Sequence, residues 1–186
     1  FTTPNGGTYV ESMKQLDGWI GEILDEVDRL GIAHNTVVVV MGDNGHFTKY
    51  SPGTGFTPMI FRGGKGDATE GGVRVDAFAR WPGMIKAESI VGDIVHVADL
   101  FTSLARFGGA TDKIPSDRVI DGVDQTALML KGETHGRRDH VFIYQGDKLA
   151  AVVKEQYKLF APGPGENPIG AKFYDLFRDT REEYPV

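Results

Sequence analysis

The fold of this chain is decided by residues 37–45, which read Val-Val-Val-Val-Met-Gly-Asp-Asn-Gly. Four consecutive valines favour a strand, because their stiff β-branched side chains fit a pleated surface. The apolar run does not alternate, which is typical of a strand covered on both faces in the parallel sheet of an α/β protein. It ends abruptly at Gly42. Since ligands of open α/β sheets bind beyond the carboxyl ends of strands, we expect the functional site at this turn.

Asp43 and Asn44 are the first candidate site residues. A carboxylate and a carboxamide side by side offer hard oxygen ligands of the kind that Ca²⁺ and Mg²⁺ take in proteins. The same residues are also typical of an ordinary Asn-Gly turn after a core strand. Taken alone, this stretch leaves both interpretations open.

Composition limits the classes of function. The 186 residues are enough for one sizeable core, or for one domain with a small appendage. The net charge of −6 argues against nucleic acid or an anionic membrane as the main partner. No segment contains the roughly 18 consecutive apolar residues of a transmembrane helix. Cysteine is absent, so these residues hold no disulfide, thiolate metal site or cysteine nucleophile.

A helix is predicted before the strand. Thr8 and Glu11 form a capping-box pattern, and Gly31 is suited to end the helix. An apolar stripe at helical spacing, with Asp17 as its polar member, is expected to face a core. The stripe comprises Val10, Met13, Ile20, Leu24 and Val27, and is widened by Leu16, Ile23 and Leu30.

A second candidate element lies in the glycine-rich loop at residues 62–74. Lys65 stands between glycines, which let the backbone approach a ligand closely while the ammonium points at an anion. The loop is not a P-loop, because Gly66 follows the lysine where that motif needs serine or threonine. No dinucleotide fingerprint is present either. The loop is therefore an anion-facing element of another type, or a surface turn.

The remaining pattern predicts a strand over 73–81 and a helix over 90–107. His96 and Asp99 in that helix are interpreted as structural. After a turn-rich region come short strands over 141–144, 149–153 and 157–160, with a last one near 173–176, and their tight connections predict an antiparallel meander. Two domains are expected, at residues 1–137 and 138–186.

These segments together resemble the C-terminal part of a type I sulfatase, of the arylsulfatase group in the alkaline phosphatase superfamily. The resemblance covers essentially the whole chain and rests on motifs in the family's order. They are Gly42-Asp43-Asn44-Gly45, Gly63-Gly64-Lys65-Gly66, Glu70-Gly71-Gly72-Val73-Arg74, Trp81-Pro82-Gly83, Tyr157-Lys158-Leu159, and Tyr174-Asp175-Leu176 with Asp179, where Thr180 replaces the usual proline.

The resemblance implies a fold and a chemistry. The fold class is α/β: part of an alkaline-phosphatase-like, mostly parallel sheet with flanking helices, plus a small C-terminal antiparallel sheet. Asp43 and Asn44 match two ligands of the family's metal ion, with Ca²⁺ expected in preference to Mg²⁺. Lys65 matches the catalytic lysine that contacts the sulfate and the leaving-group oxygen of a sulfate ester. The resemblance also implies that the protein is periplasmic or secreted, while its own sequence leaves the localisation unknown.

The chain also departs from the family pattern. It has no Cys/Ser-x-Pro-x-Arg motif, the source of the formylglycine nucleophile, and no counterpart of the family's N-terminal metal ligands. It opens with Phe1 and reads as a piece of a longer polypeptide, so its own N-terminus does not indicate localisation. We expect the isolated chain to be inactive. We also expect it to associate with a missing N-terminal half or with itself, because a truncated sheet exposes apolar surface.

His46 is added from its position alone, as a candidate ligand for the sulfate or for a sugar hydroxyl, with a surface histidine as the alternative. Glu70 and Arg74 are interpreted as an ion pair bracing Lys65. Besides a sulfatase, two functions stay open: a phosphate or phosphonate ester hydrolase of the same superfamily, and a non-catalytic module that retains the fold.

Overall fold

A computed structural model describes residues 9–47, 60–162 and 171–186. Spatial contacts divide the chain into two compact units. One contains the described residues up to Val40 together with Phe78–Ala87, and the other contains the described parts of Met41–Ala77 and Glu88–Val186. The expected domain boundary between residues 137 and 138 stays a prediction.

The predicted first helix is α1, Tyr9–Arg29. It ends as expected at Gly31, where φ is 69°. The N–H of Gly31 donates to the carbonyl of Asp28 at 2.9 Å, and the N–H of Ile32 donates to that of Val27 at 3.3 Å. These two bonds form a Schellman motif, which satisfies carbonyls that the helix end leaves free. Thr8, the predicted cap at the other end, lies outside the described residues.

The expectation that the α1 stripe faces a core is wrong for the described part of the chain. None of the helix side chains described is buried, and Ile23 is 58% exposed. The reason is a lack of partners. Besides α1, the described residues of this unit supply only a 3₁₀ turn and short strand segments, which are too few to cover a helical face.

The valine run forms strand β1, Val38–Met41, as predicted, and it pairs with β2, Ala77–Arg80. All four β1 residues are half-buried. The expected burial on both faces is therefore not found among the described residues, because this sheet has two strands there and Phe78 of β2 is 69% exposed.

A four-residue helix that the sequence pattern did not predict, α2, occupies Glu70–Val73. The longer predicted helix is α3, Ala98–Phe107, which begins eight residues later than expected over 90–107. The carboxylate of Asp99 accepts the N–H of His96 at 2.9 Å, and the His96 ring accepts the N–H of Ala98 at 3.2 Å. These bonds set the start of the helix and agree with the structural interpretation of both residues.

Asp99 is also one half of a buried ion pair. Its carboxylate lies 2.6 Å from the guanidinium of Arg138, and both side chains are buried or nearly so. Burial alone would raise the pKa of Asp99. Hydrogen bonds from Arg138 and from the Val123 and His96 amides outweigh it and hold that pKa below its usual value.

The predicted meander is confirmed as a four-stranded antiparallel sheet in the order β3-β4-β5-β6. Its strands are His140–Gln145, Lys148–Lys154, Tyr157–Phe160 and Phe173–Asp175. A further short helix, α4, spans Thr126–Lys131. Ile143 and Ala151 face inward from the sheet and form a core cluster with Ala68, which belongs to the Lys65 loop. The sheet thus supports the loop that carries the candidate lysine. No helix among the described residues is long and apolar enough to cross a membrane.

Candidate functional site

Three backbone segments meet at the candidate site: residues 42–46 after β1, residues 62–67, and α2. The N–H of Gly45 donates to the carbonyl of Gly72 at 3.0 Å, and the N–H of Gly71 donates to that of Arg62 at 2.8 Å. The N–H of Lys65 donates to the carbonyl of His46 at 2.7 Å. The turn with Asp43 and Asn44 is therefore tied directly to the loop with Lys65.

The glycines in these segments are required by close approach of one backbone to another. A Cβ at Gly45 would overlap the carbonyl oxygen of Gly71. A Cβ at Gly71 would overlap the carbonyls of Arg62 and Gly63, and one at Gly72 would lie 2.6 Å from that of Gly64. Because α2 contains two such glycines, it acts as a flat main-chain surface on which both site loops rest.

Lys65 extends from a turn that is closed on itself. The N–H of Asp67 donates to the carbonyl of Gly64 at 2.9 Å, and the Asp67 carboxylate accepts the N–H of Gly64 at 2.9 Å. Gly66 has a φ of 95°, in the left-handed region that favours glycine. The amide of Gln145 donates to the Gly66 carbonyl at 2.8 Å. The loop backbone is thereby fixed while the Lys65 side chain is exposed.

The four predicted site residues lie on two segments that the hydrogen bond between Lys65 and His46 joins. Asp43 is exposed, and Asn44 and His46 are half-buried. The Asn44 amide nitrogen donates to the carbonyl of Gly45 at 2.8 Å, which orients the side chain and leaves its oxygen as a possible ligand. The roles assigned to these residues stay predictions.

Asp43 and Asn44 fit a hard divalent cation chemically, since both offer oxygen ligands. They are too few to hold it alone, because Ca²⁺ takes about 6–8 oxygen ligands. Among the described residues, no group of three or more His, Cys, Asp or Glu side chains could hold a metal ion. A complete coordination shell would need further ligands.

The predicted ion pair between Glu70 and Arg74 is present, with 3.4 Å between Glu70 Oε2 and Arg74 Nη1. The Arg74 guanidinium also lies over the Phe61 ring, 5.0 Å from its centroid. Sequence reasoning missed two buried partners of Glu70, which are Lys158 and Glu182. One signal was available: in β5, Lys158 occupies an inward position between the outward Tyr157 and Leu159.

A cavity of about 820 Å³ lies on one side of the Lys65 loop. Its lining includes Arg62, Asp67 and Thr69 from the loop and Lys148 and Phe160 from the antiparallel sheet. The volume falls within the range of small-molecule pockets. None of the four predicted site residues lines it.

Comparisons with known proteins show the family of this chain. A family model described as Sulfatase matches residues 4–110. N-acetylgalactosamine-6-sulfatase from Mus musculus is 40% identical over 207 residues, an alignment that covers 97% of this chain and 39% of that protein. Steryl-sulfatase from Rattus norvegicus is 31% identical over 212 residues, covering 97% of this chain and 36% of that protein.

A solved structure, that of the PsFucS1 sulfatase from Pseudoalteromonas sp., is also similar. It superposes with a TM-score of 0.81 at 28% identity, covering 94% of this chain and 37% of that one. This chain therefore spans well under half the length of the relatives it matches.

Proposed function

Because this chain belongs to the sulfatase family, and has part of the alkaline-phosphatase-like fold of its structural relatives, we propose that it supplies one part of the active site of a sulfate ester hydrolase. The observation that carries the proposal is the 2.7 Å hydrogen bond from the Lys65 N–H to the His46 carbonyl. It ties a glycine-flanked cation to a turn that bears two oxygen ligands.

In this proposal Lys65 is the catalytic residue of the chain. Negative charge grows on the sulfate and on the leaving oxygen as the S–O bond breaks, and a fixed ammonium stabilises it. Asp43 and Asn44 would hold part of the shell of a Ca²⁺ ion, which when bound adds positive charge beside the sulfate oxygens. His46 would donate to or accept from the substrate. The nucleophile, formylglycine by the family resemblance, is supplied from outside these residues.

The exposed face of α1 supports the proposal that a further part of the enzyme covers it. Val10, Met13, Ile23 and Leu30 are each about half exposed on one helix, an apolar stripe of the kind that marks an interaction surface. We propose the remainder of the sulfatase domain as the occupant, or a second copy when it is absent. A clean monomer of the 186-residue chain at micromolar concentration in light scattering would contradict self-association.

The function is tested by replacing the matched 39% of the Mus musculus N-acetylgalactosamine-6-sulfatase with this chain. Activity is followed as sulfate release from 4-nitrophenyl sulfate, with 4-nitrophenyl phosphate as the competing substrate. We expect the chimera to release sulfate. Lys65→Ala should lower the rate of release by about 10²–10³-fold, which is the typical effect of removing one fixed donor that stabilises developing negative charge.

The matched control is Lys131→Ala, which removes an exposed lysine from α4 and should leave the rate unchanged. A folded chimera in which Lys65→Ala keeps full sulfatase activity would refute the role of Lys65. Faster turnover of the phosphate ester would favour the phosphohydrolase alternative. The isolated chain should release no sulfate under the same conditions.

A further inference from the structure

Three ionised side chains from distant parts of the sequence meet in the interior. Lys158 and Glu182 are completely buried, and Glu70 is nearly so. The Lys158 ammonium lies 3.1 Å from Glu70 Oε1 and 2.9 Å from Glu182 Oε1. The second contact is an ion pair without hydrogen-bond geometry, and Glu182 Oε1 finds no hydrogen-bond donor among the described residues. We call Glu70, Lys158 and Glu182 the buried triad.

The triad is attached to the first turn of α2. Glu182 Oε2 accepts the N–H of Glu70, the first residue of that helix, at 2.8 Å. Helix N-termini need acceptors for their first amides, and Thr69 at the cap position makes no side-chain cap bond. The C-terminal tail therefore caps α2 from a distance of 112 residues along the chain.

The position of Glu182 is itself held at a cost. Its φ is 55°, in the left-handed region that non-glycine residues rarely adopt. Burying charges is also unfavourable, and ion pairs in protein interiors are frequently no more stabilising than apolar residues of the same size. The positive φ of Glu182 and the buried charges therefore add little stability. Their presence indicates a different role, which is to hold α2 in one position.

We propose that Lys158 and Glu182 are positioning residues that act on Lys65 through α2. Gly71 and Gly72 of α2 contact the backbone on both sides of Lys65, and Gly72 also accepts the N–H of Gly45 beside Asn44. A shift of α2 would therefore move Lys65 and the turn at residues 42–46 together. The inference that this matters for an anion rests on the proposed function, whereas the mechanical link does not.

The mechanical link is tested by hydrogen exchange on the full 186-residue chain. Lys158→Met should accelerate exchange at the Gly45, Lys65 and Gly71 amides by at least about tenfold, which corresponds to about 1.4 kcal/mol of local opening. The matched control is Arg138→Met, which also breaks a buried pair but contacts none of the site segments. When Arg138→Met and Lys158→Met lower the global stability by the same amount, the three amides should stay protected in Arg138→Met. Equal acceleration by both variants would overturn the proposal.

Glu182→Gln serves where Lys158→Met does not fold. It keeps an oxygen acceptor for the Glu70 N–H and removes the charge, so we expect a smaller acceleration at the same amides. No acceleration at all in Glu182→Gln, with the Lys158 variant unfolded, would count against the triad as a clamp.

The link to anion binding is tested with inorganic sulfate in a double-mutant cycle. Lys65→Ala should weaken sulfate binding, Lys158→Met should weaken it by about threefold or more, and the double variant should bind no more weakly than Lys65→Ala alone. Additive losses would mean that Lys158 does not act through Lys65. The cycle is measured in the chimera with the Mus musculus sulfatase, where the rest of the site is present. If the unmodified chimera does not bind sulfate, the proposed function fails at this site, and the exchange experiment alone decides the positioning role.

Discussion

Gly72→Ala is the substitution that most directly tests how the site is built. Its Cβ would overlap the carbonyl oxygen of Asp67 and lie 2.6 Å from that of Gly64, whereas ordinary contact begins at 3.4 Å. Both carbonyls belong to backbone that flanks Lys65, so no side chain can rotate away. The loop must move by about 0.8 Å or more, the difference between those two distances.

The cost follows from the rigidity of the contact. Overpacking a closely packed interior costs about 1–3 kcal/mol, and a clash with backbone belongs at the upper end. A loss of about 3 kcal/mol should lower the Tm of a chain of this size by about 6–12 °C. The same displacement should reduce the affinity for sulfate, because it moves Lys65. Differential scanning calorimetry and sulfate titration measure the two effects.

The matched control is Gly18→Ala, the same change at an exposed position of α1 where the new Cβ meets nothing within 4 Å. Replacing a glycine within a helix stabilises it by about 0.5–1 kcal/mol, so its Tm should rise by about 1–4 °C. A Gly72→Ala chain that melts within about 1 °C of the unmodified chain would refute the backbone-contact account.

Three further predictions use other parts of the molecule. Gly31→Ala should lower the helicity of α1 and cost about 1 kcal/mol, because the Schellman end needs a positive φ; circular dichroism checks it, and unchanged melting would contradict it. The pKa of Asp99 is held low in the folded chain, so its stabilising contribution is present above about pH 4 and is lost as the pH falls through that lowered pKa. Acid unfolding should therefore depend less steeply on pH in Asp99→Asn. An identical profile in the variant and the unmodified chain would contradict this. Arg80→Ala removes a half-exposed ion pair with Asp28 and should cost less than about 1 kcal/mol, with the difference vanishing at high salt in urea unfolding.

Local sequence signals predicted the elements that local chemistry determines. The end of α1 depends on one glycine and two backbone bonds, and the meander depends on the turns at Gly146 and Glu155, which both have positive φ. The turn after β1 was found because a β-branched run stops at a glycine. Each of these features is specified within a few residues.

Features that depend on distant partners were missed or wrong. The burial of the α1 stripe depends on what covers it, which periodicity does not reveal. α2 contains two glycines with poor helix propensity, and its backbone contacts decide its conformation. Lys158 and Glu70 are 88 residues apart, so no local pattern relates them.

In the candidate site, sequence reasoning selected candidate side chains, whose roles stay predictions, and the structure describes the backbone contacts that hold their segments. Asp43, Asn44 and Lys65 were chosen for their chemistry and His46 for its position, and a hydrogen bond joins the two segments that carry them. The tail residue Glu182, which caps α2, had no sequence signal because its role comes from a long-range contact.

The contacts among the three site segments are made almost wholly by main-chain atoms, which has a consequence for redesign. Substituting the side chain of His46 or Asp43 leaves the hydrogen bonds from the Lys65 and Gly45 amides in place, since their acceptors are the main-chain carbonyl oxygens of His46 and Gly72. The reactive groups can therefore be varied in a combinatorial library while the glycines are kept constant. Substitutions at the reactive side chains can therefore change the preferred ester while the main-chain contacts, and with them the fold, stay the same.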